Sequence, residues 1–227
     1  MGAIVTPASV VAALEDARAR IDAVVRQWSH PVNIVAVTKG FGGRAIDDAV
    51  AAGVRAIGEN YAQELLAKRQ TIDAARSSVP IEVHFIGGLQ RNKVRQLIDV
   101  VDVWSSLDRE SIIDEVAKRA PGARVQVQVN ATDEASKSGA PVGEVPALIE
   151  RARAVGLDVV GLMTIGPTHG GPEAARPAFA RVRAMVDEFG LARCSMGMSA
   201  DLEVAIEEGS TEVRLGTALF GPRPPRQ

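Results

Sequence analysis

The stretch CSMGMSADLEVAIEEGSTEVRLGTALFG, residues 194–221, decides the fold class because it holds strand, helix and strand in succession. RCSMGM (193–198) and TEVRLG (211–216) are short apolar runs, and ADLEVAIEEG (200–209) between them has helical spacing. A strand that returns through a helix lies parallel to its predecessor, with a right-handed crossover. Working outward, the same alternation fills the chain. Six more runs precede it: NIVAVT (33–38), VRAIG (54–58), IEVHFIG (81–87), VDVWSS (101–106), RVQVQVN (124–130) and LDVVGLMTI (157–165). Helical patterns such as RAIDDAVAAG, YAQELLAKRQ and DRESIIDEVAKRA separate them. Eight strand–helix units in 227 residues predict a closed (β/α)8 barrel of TIM type, with an open doubly wound sheet as the alternative. An extra helix precedes the first strand. Thr6 is its N-cap, Pro7 opens its first turn, and Val11, Leu14, Ile21, Val25 and Trp28 are its apolar stripe. No Pro- or Ser-rich linker interrupts the chain before the tail PRPPRQ, so residues 1–227 are expected to form one domain.

Composition narrows the function. Twenty-six basic and 28 acidic residues give a formal charge of −2, which supplies no bulk field for nucleic acid or an anionic membrane. The single cysteine, Cys194, can form neither an internal disulfide nor a cysteine-based metal cluster, and it suits the cytosol. The N-terminal stretch meets Glu15 and Asp16 before any long apolar run, so a signal peptide or membrane span is not expected there. There is no HExxH, GxSxG or Walker loop and no clustered His/Asp/Glu ligand pattern, so no metal site is expected.

In a barrel, chemistry gathers at strand C-termini and in the loops that follow, with phosphate favoured after the seventh and eighth strands. Lys39 ends the first strand in VAVTKG (35–40). In a partly desolvated pocket its amine would be a Schiff-base former; alternatively it snorkels into solvent. Gly40, Gly42 and Gly43 follow it, giving either room for a ligand or a simple turn. Ser199 stands before a helical pattern as an N-cap and anion site, although Asp201 and Glu203 in the first turn favour plain capping unless they face away. Gly216 and Thr217 make a second small-residue turn that can complete a phosphate cradle. Alternation puts Glu212, Arg214 and Gly216 on one face of their strand, so Arg214 needs a partner: Glu212, or a ligand near the strand end. Asn60 in IGENYAQE can cap a helix starting at Tyr61, with Gln63 reciprocating, or touch a ligand. His84 reads as a satisfied core histidine, Arg91, Lys93 and Arg95 as a solvated helix face, and Lys137 as a second loop lysine without a strand-end setting.

Together VAVTKG, GENYAQE, HFIGGLQRNK, QVNATDEASKSG, GLMTIGP and SMGMSADLEVAIEEGSTEVRLGTALFG cover most of the chain and resemble the pyridoxal phosphate homeostasis proteins of the YggS/PROSC type. The resemblance implies a barrel similar to the N-terminal domain of alanine racemase, with pyridoxal 5′-phosphate (PLP) held as a Schiff base on Lys39. It implies that Ser199, Gly216 and Thr217 hold the phosphate with Ser195 assisting, that Arg214 faces the pyridine nitrogen, and that Asn60 belongs to the cofactor site. One departure is GFGG after the lysine, where the family commonly has a short polar residue and a proline; this gives the entrance a shape or mobility of its own. An arginine at the pyridine nitrogen keeps that nitrogen unprotonated and weakens the ring as an electron sink. Racemisation also needs a second base, commonly a tyrosine from a further domain or partner chain, and Tyr61 is the only tyrosine here. The expected function is intracellular PLP homeostasis by a monomeric carrier or regulator with little or no turnover, serving PLP-dependent apoenzymes. A PLP-dependent amino-acid racemase and a PLP-free, aldolase-like Schiff-base enzyme are the alternatives.

Overall fold

The computed structural model describes residues 6–223. In chain order the elements are α1 (Pro7–Ala23), β1 (Asn33–Val37), α2 (Arg44–Ala51), β2 (Ala56–Glu59), α3 (Ala62–Ala67), α4 (Arg69–Ser78), β3 (Glu82–Phe85) and α5 (Arg91–Leu97). There follow β4 (Val103–Leu107), α6 (Glu110–Arg119), β5 (Arg124–Asn130), β6 (Ala140–Pro141), α7 (Val145–Ala154), β7 (Asp158–Thr164) and α8 (Arg176–Glu188). The last are β8 (Arg193–Ser195), α9 (Leu202–Glu207), β9 (Glu212–Leu215) and α10 (Thr217–Phe220). The eight apolar runs become β1–β5 and β7–β9. All pair in parallel in chain order, and β1 against β9 returns the sheet to its start, with Val35 opposite Arg214. Pairing of β4 with β5, Trp104 opposite Val125, closes the remaining gap and excludes an open sheet. β6 is a two-residue strand paired with the C-terminal end of β5 and not part of the ring.

The strands are largely buried because both their faces are covered, one by the barrel interior and one by helices, and most of their residues are apolar. Their residues and the inward stripes of the helices, among them Ile46, Leu65, Ile72, Val94, Ile113, Ile149 and Val182, form one buried cluster. α1 starts where the sequence puts it. Thr6 accepts from the Ser9 backbone N–H while the Ser9 side chain bonds back to Thr6, and Pro7 fills the first position. Two residues of the expected stripe, Leu14 and Ile21, face the core, and the other three lie elsewhere. Val10, Leu14, Ala17 and Ile21 are buried, whereas Val11 faces outward and Val25 and Trp28 lie beyond the helix end. Trp28 instead donates to the Glu207 carbonyl under the Arg183 guanidinium. Among the described residues no helix is long and apolar enough to cross a membrane.

At the N-terminal end of the strands the barrel carries a charged floor. Glu82 accepts from Arg124 at 2.5 Å and Arg193 at 2.6 Å, and His84 Nε2 lies 2.6 Å from it. Glu212 accepts from Gln126 at 2.6 Å and from Arg193 at 3.2 Å. Burial alone would raise the Glu82 carboxyl, but His84 and Arg193 hold it well below the ordinary carboxylate range. Although no clustered ligand pattern is visible in the sequence, folding brings donor atoms of Glu82, His84 and Glu212 within 4.8 Å of one another. The two guanidiniums already answer these carboxylates, so the cluster is an ionic plug that stands against a cation. His84, also 3.4 Å from Ser105 Oγ, is the satisfied core histidine expected.

Candidate functional site

At the opposite, C-terminal end of the strands a cavity of about 220 Å³ opens between the last loops and the first. Lys39, Asn60, Ser199, Arg214, Gly216 and Thr217 all line it, with Val37, Ile86, Met163 and Ile165 as apolar walls. Six of the seven expected cofactor residues therefore meet in one place, from positions up to 178 residues apart in sequence. The seventh, Ser195, lies beneath: it is buried, and its hydroxyl accepts from Arg214 at 3.0 Å.

Lys39 lies two residues past the end of β1 and is half-buried, and its amine makes no hydrogen bond or ion pair among the described residues. Desolvation lowers its pKa, and the cations Arg223 and Arg214 lower it further against the weaker pull of Glu59 and Glu64. A lysine snorkelling into solvent would not be desolvated in this way. Lys137 is the contrast: its amine is held by the Gly166 carbonyl and lies 3.0 Å from Glu134.

Arg214 is buried in the barrel interior and fixed by the Ser195 carbonyl (2.8 Å), the Ser195 hydroxyl and the Thr164 carbonyl (2.6 Å). Burial pushes its pKa down to about 10, which leaves it a cation at neutral pH. The ion pair with Glu212 suggested by strand alternation does not form. Glu212 sits about 6.6 Å lower along the strand, in the layer of Arg193 and Gln126.

Two capping readings are overturned. α9 begins at Leu202 with Asp201 at the cap position, so Ser199 stands in the loop before it, where Gly197 (φ 93°) has ended the strand run. Its hydroxyl accepts from the Ala218 N–H at 3.2 Å and ties the seventh loop to the eighth. The troublesome carboxylates face away: Asp201 accepts from the Met198 N–H, and Glu203 pairs with Arg20 of α1 at 2.8 Å. Likewise Tyr61, not Asn60, occupies the cap position of α3, and its side chain makes no capping bond. The Asn60 side-chain oxygen is buried without a hydrogen-bond partner. An orphaned acceptor in a cavity wall can take a donor from water or a ligand.

Sequence reasoning missed the support beneath Lys39. The helix expected over YAQELLAKRQ is broken at Lys68 into α3 and α4, and the Lys68 side chain turns inward. Its amine donates to the Thr38 carbonyl at 2.8 Å and to Glu59 at 2.5 Å, and the Thr38 hydroxyl donates to the same Glu59 oxygen at 2.5 Å. Burial raises the Glu59 carboxyl more than Lys68 and Thr38 lower it. No local pattern marks this triad, since its members meet only when β1, β2 and the helix break pack together. The GFGG loop is pinned, not loose. The Gly40 N–H (φ 77°) donates to Glu64 at 2.7 Å, and Phe41 packs on Phe220 with ring centroids 5.3 Å apart. A Cβ at Gly43 would meet the Thr71 hydroxyl at 2.5 Å, so a side chain there would force Thr71 to shift.

The alanine racemase N-terminal domain family matches residues 13–224. The chain is 41% identical over 199 residues to a pyridoxal phosphate homeostasis protein of Pseudomonas aeruginosa, covering 85% of each. The chain belongs to the pyridoxal phosphate homeostasis family. Among solved structures, PipY of Synechococcus elongatus with PLP bound superposes with a TM-score of 0.80 at 28% identity, over 93% of this chain and all of PipY. Alanine racemase of Corynebacterium glutamicum shares the fold at a TM-score of 0.74 and 17% identity, over 96% of this chain but 61% of the racemase. As a homeostasis-family barrel, the protein has the closed eight-stranded architecture expected from its sequence, and the resemblance in its motifs holds across the chain.

Proposed function

We propose that this protein binds PLP in the cavity at the strand C-termini and acts in PLP homeostasis as a carrier or regulator. The observation that carries the reading is the unpaired, pKa-lowered amine of Lys39 in one cavity with Ser199, Gly216, Thr217 and Arg214. PLP, when bound, brings an aldehyde for a neutral amine and a phosphate for a cradle of hydroxyl and backbone donors. Lys39 is the amine. Ser199, Gly216 and Thr217 hold the phosphate, and the buried Asn60 oxygen accepts from the ligand. Arg214, anchored by three bonds with Ser195 below it, presents a fixed cation that keeps a neighbouring ring nitrogen neutral.

Low turnover belongs to the same reading. A neutral ring nitrogen withdraws electrons weakly, and Tyr61 lines a neighbouring cleft with Gln63 and Lys93, not the Lys39 cavity. We further infer a monomeric, cytoplasmic protein of one domain that hands PLP to apoenzymes, in keeping with its lone cysteine and near-neutral charge. The test is the visible spectrum of the purified protein with PLP, before and after borohydride, with peptide mapping of the adduct. A yellow chromophore reduced onto Lys39 and absent in Lys39→Ala is expected. Reduction onto another lysine overturns the site, no chromophore overturns the cofactor, and α-hydrogen exchange of an amino acid at enzyme-like rates overturns the carrier role.

A further inference from the structure

A second cavity, about 680 Å³, lies at the other end of the barrel. Its walls are the inner side of α1, the segments 31–34 and 53–56 at the starts of β1 and β2, and the floor residues Glu82, Arg193 and Glu212, which open β3, β8 and β9. Barrel chemistry gathers at the opposite end, so neither cofactor nor phosphate cradle accounts for this space.

Its charges are unevenly answered. Arg193 is taken up by Glu82 and Glu212, and Arg55 donates to the Val50 and Val54 carbonyls. Arg18 and Arg26 form no ion pair or hydrogen bond among the described residues, and the Arg26 Nη1 atom is enclosed with no acceptor. A guanidinium nitrogen shut away from water without an acceptor is rare, and the exposed guanidinium of Arg18, which water can reach, lines the same space without a protein partner. The planar forks of two arginines match phosphate and carboxylate groups. Asp22, one turn after Arg18, also lines the cavity without a partner and sets a limit on the negative charge accepted. The volume is in the range of small-metabolite sites.

We infer that the cavity between α1 and the barrel floor is a second ligand site, which takes a small metabolite carrying a phosphate or carboxylate group on Arg18 and Arg26. The site is separate from the Lys39 cavity and does not depend on PLP. Backbone ¹⁵N–¹H spectra of the full chain test it, with inorganic phosphate in one arm and succinate in the other. The amides of Asn33, Gly53 and Arg55 should shift saturably, and the double variant Arg18→Gln, Arg26→Gln should weaken that response about tenfold or more. Shifts of Gly216 and Thr217, at the far end, should be unchanged in the variant, which also shows that it is folded. Asp22→Asn should tighten binding by removing the opposing charge. A response to phosphate alone assigns a phosphate ester, and a response to succinate as well assigns small dianions generally. No saturable shift at the three amides in either arm, undiminished affinity in the double variant, or weaker binding in Asp22→Asn overturns the site.

Discussion

Replacing Lys68 by Met tests whether the buried triad holds up the Lys39 strand end. Methionine keeps the length and apolar stem of the side chain but deletes the donor to Thr38 and Glu59. The Lys68 side chain is 6% exposed and Glu59 is fully buried, so water cannot replace the lost contact. Glu59 already has one oxygen without a donor, and the other would keep only Thr38. Breaking a buried pair from one side costs about 3–5 kcal/mol. At about 2–4 °C per kcal/mol for a protein of this size, the melting temperature should fall by about 6–20 °C. The pH dependence is specific. Glu59 has a folded pKa above its ordinary 4.5, so its contribution is fully present below 4.5 and is lost as pH rises through the folded value. Without Lys68 the raising effect of burial is opposed only by the Thr38 hydrogen bond, and the window widens upward. Urea unfolding near pH 5 and near pH 8 should therefore show a larger deficit at the higher pH, and adding Glu59→Gln should remove most of the difference. A loss below about 1 kcal/mol at pH 8, or an equal loss at both pH values, would refute the reasoning.

Arg223→Gln should raise the Lys39 pKa, because burial remains but one of two lowering cations is gone. A neutral amine is the reactive form, so the pH midpoint for chromophore formation with PLP should move upward, toward the ordinary 10.5. An unmoved midpoint in a spectrophotometric pH titration would remove Arg223 from the site. Cys194 is buried, and desolvation pushes its thiol up to about 12. Iodoacetamide should leave it unmodified in the native protein at neutral pH and label it fully after denaturation, as read by intact mass. Rapid native labelling would contradict the packing of β8.

The eight strands were legible because a buried parallel strand leaves a continuous apolar run and its helix a three-to-four spacing, both local signals. The candidate site was legible in part for the same reason: Lys39, Arg214, Gly216 and Thr217 sit at or beside strand ends, and strand ends can be located from the pattern. The first position of the α1 stripe was not. Val10 and Val11 are equally apolar, and only packing against the barrel selects Val10. Nor could the sequence separate a capping Ser199 or Asn60 from a cavity-lining one, since both roles use the same residue types before a helical pattern. The backbone at Asp201 and Tyr61 decided that.

The opening stretch of residues 194–221 by itself pointed to the parallel class and to the end of the barrel that carries the Lys39 cavity. Tertiary structure alone decided closure, through the pairing of β4 with β5, and the company each polar group keeps. The reason is physical: hydrophobic periodicity is written into neighbours in sequence, whereas Lys68 beneath Thr38, Arg223 beside Lys39 and two unpaired arginines beneath the barrel are neighbours only in space.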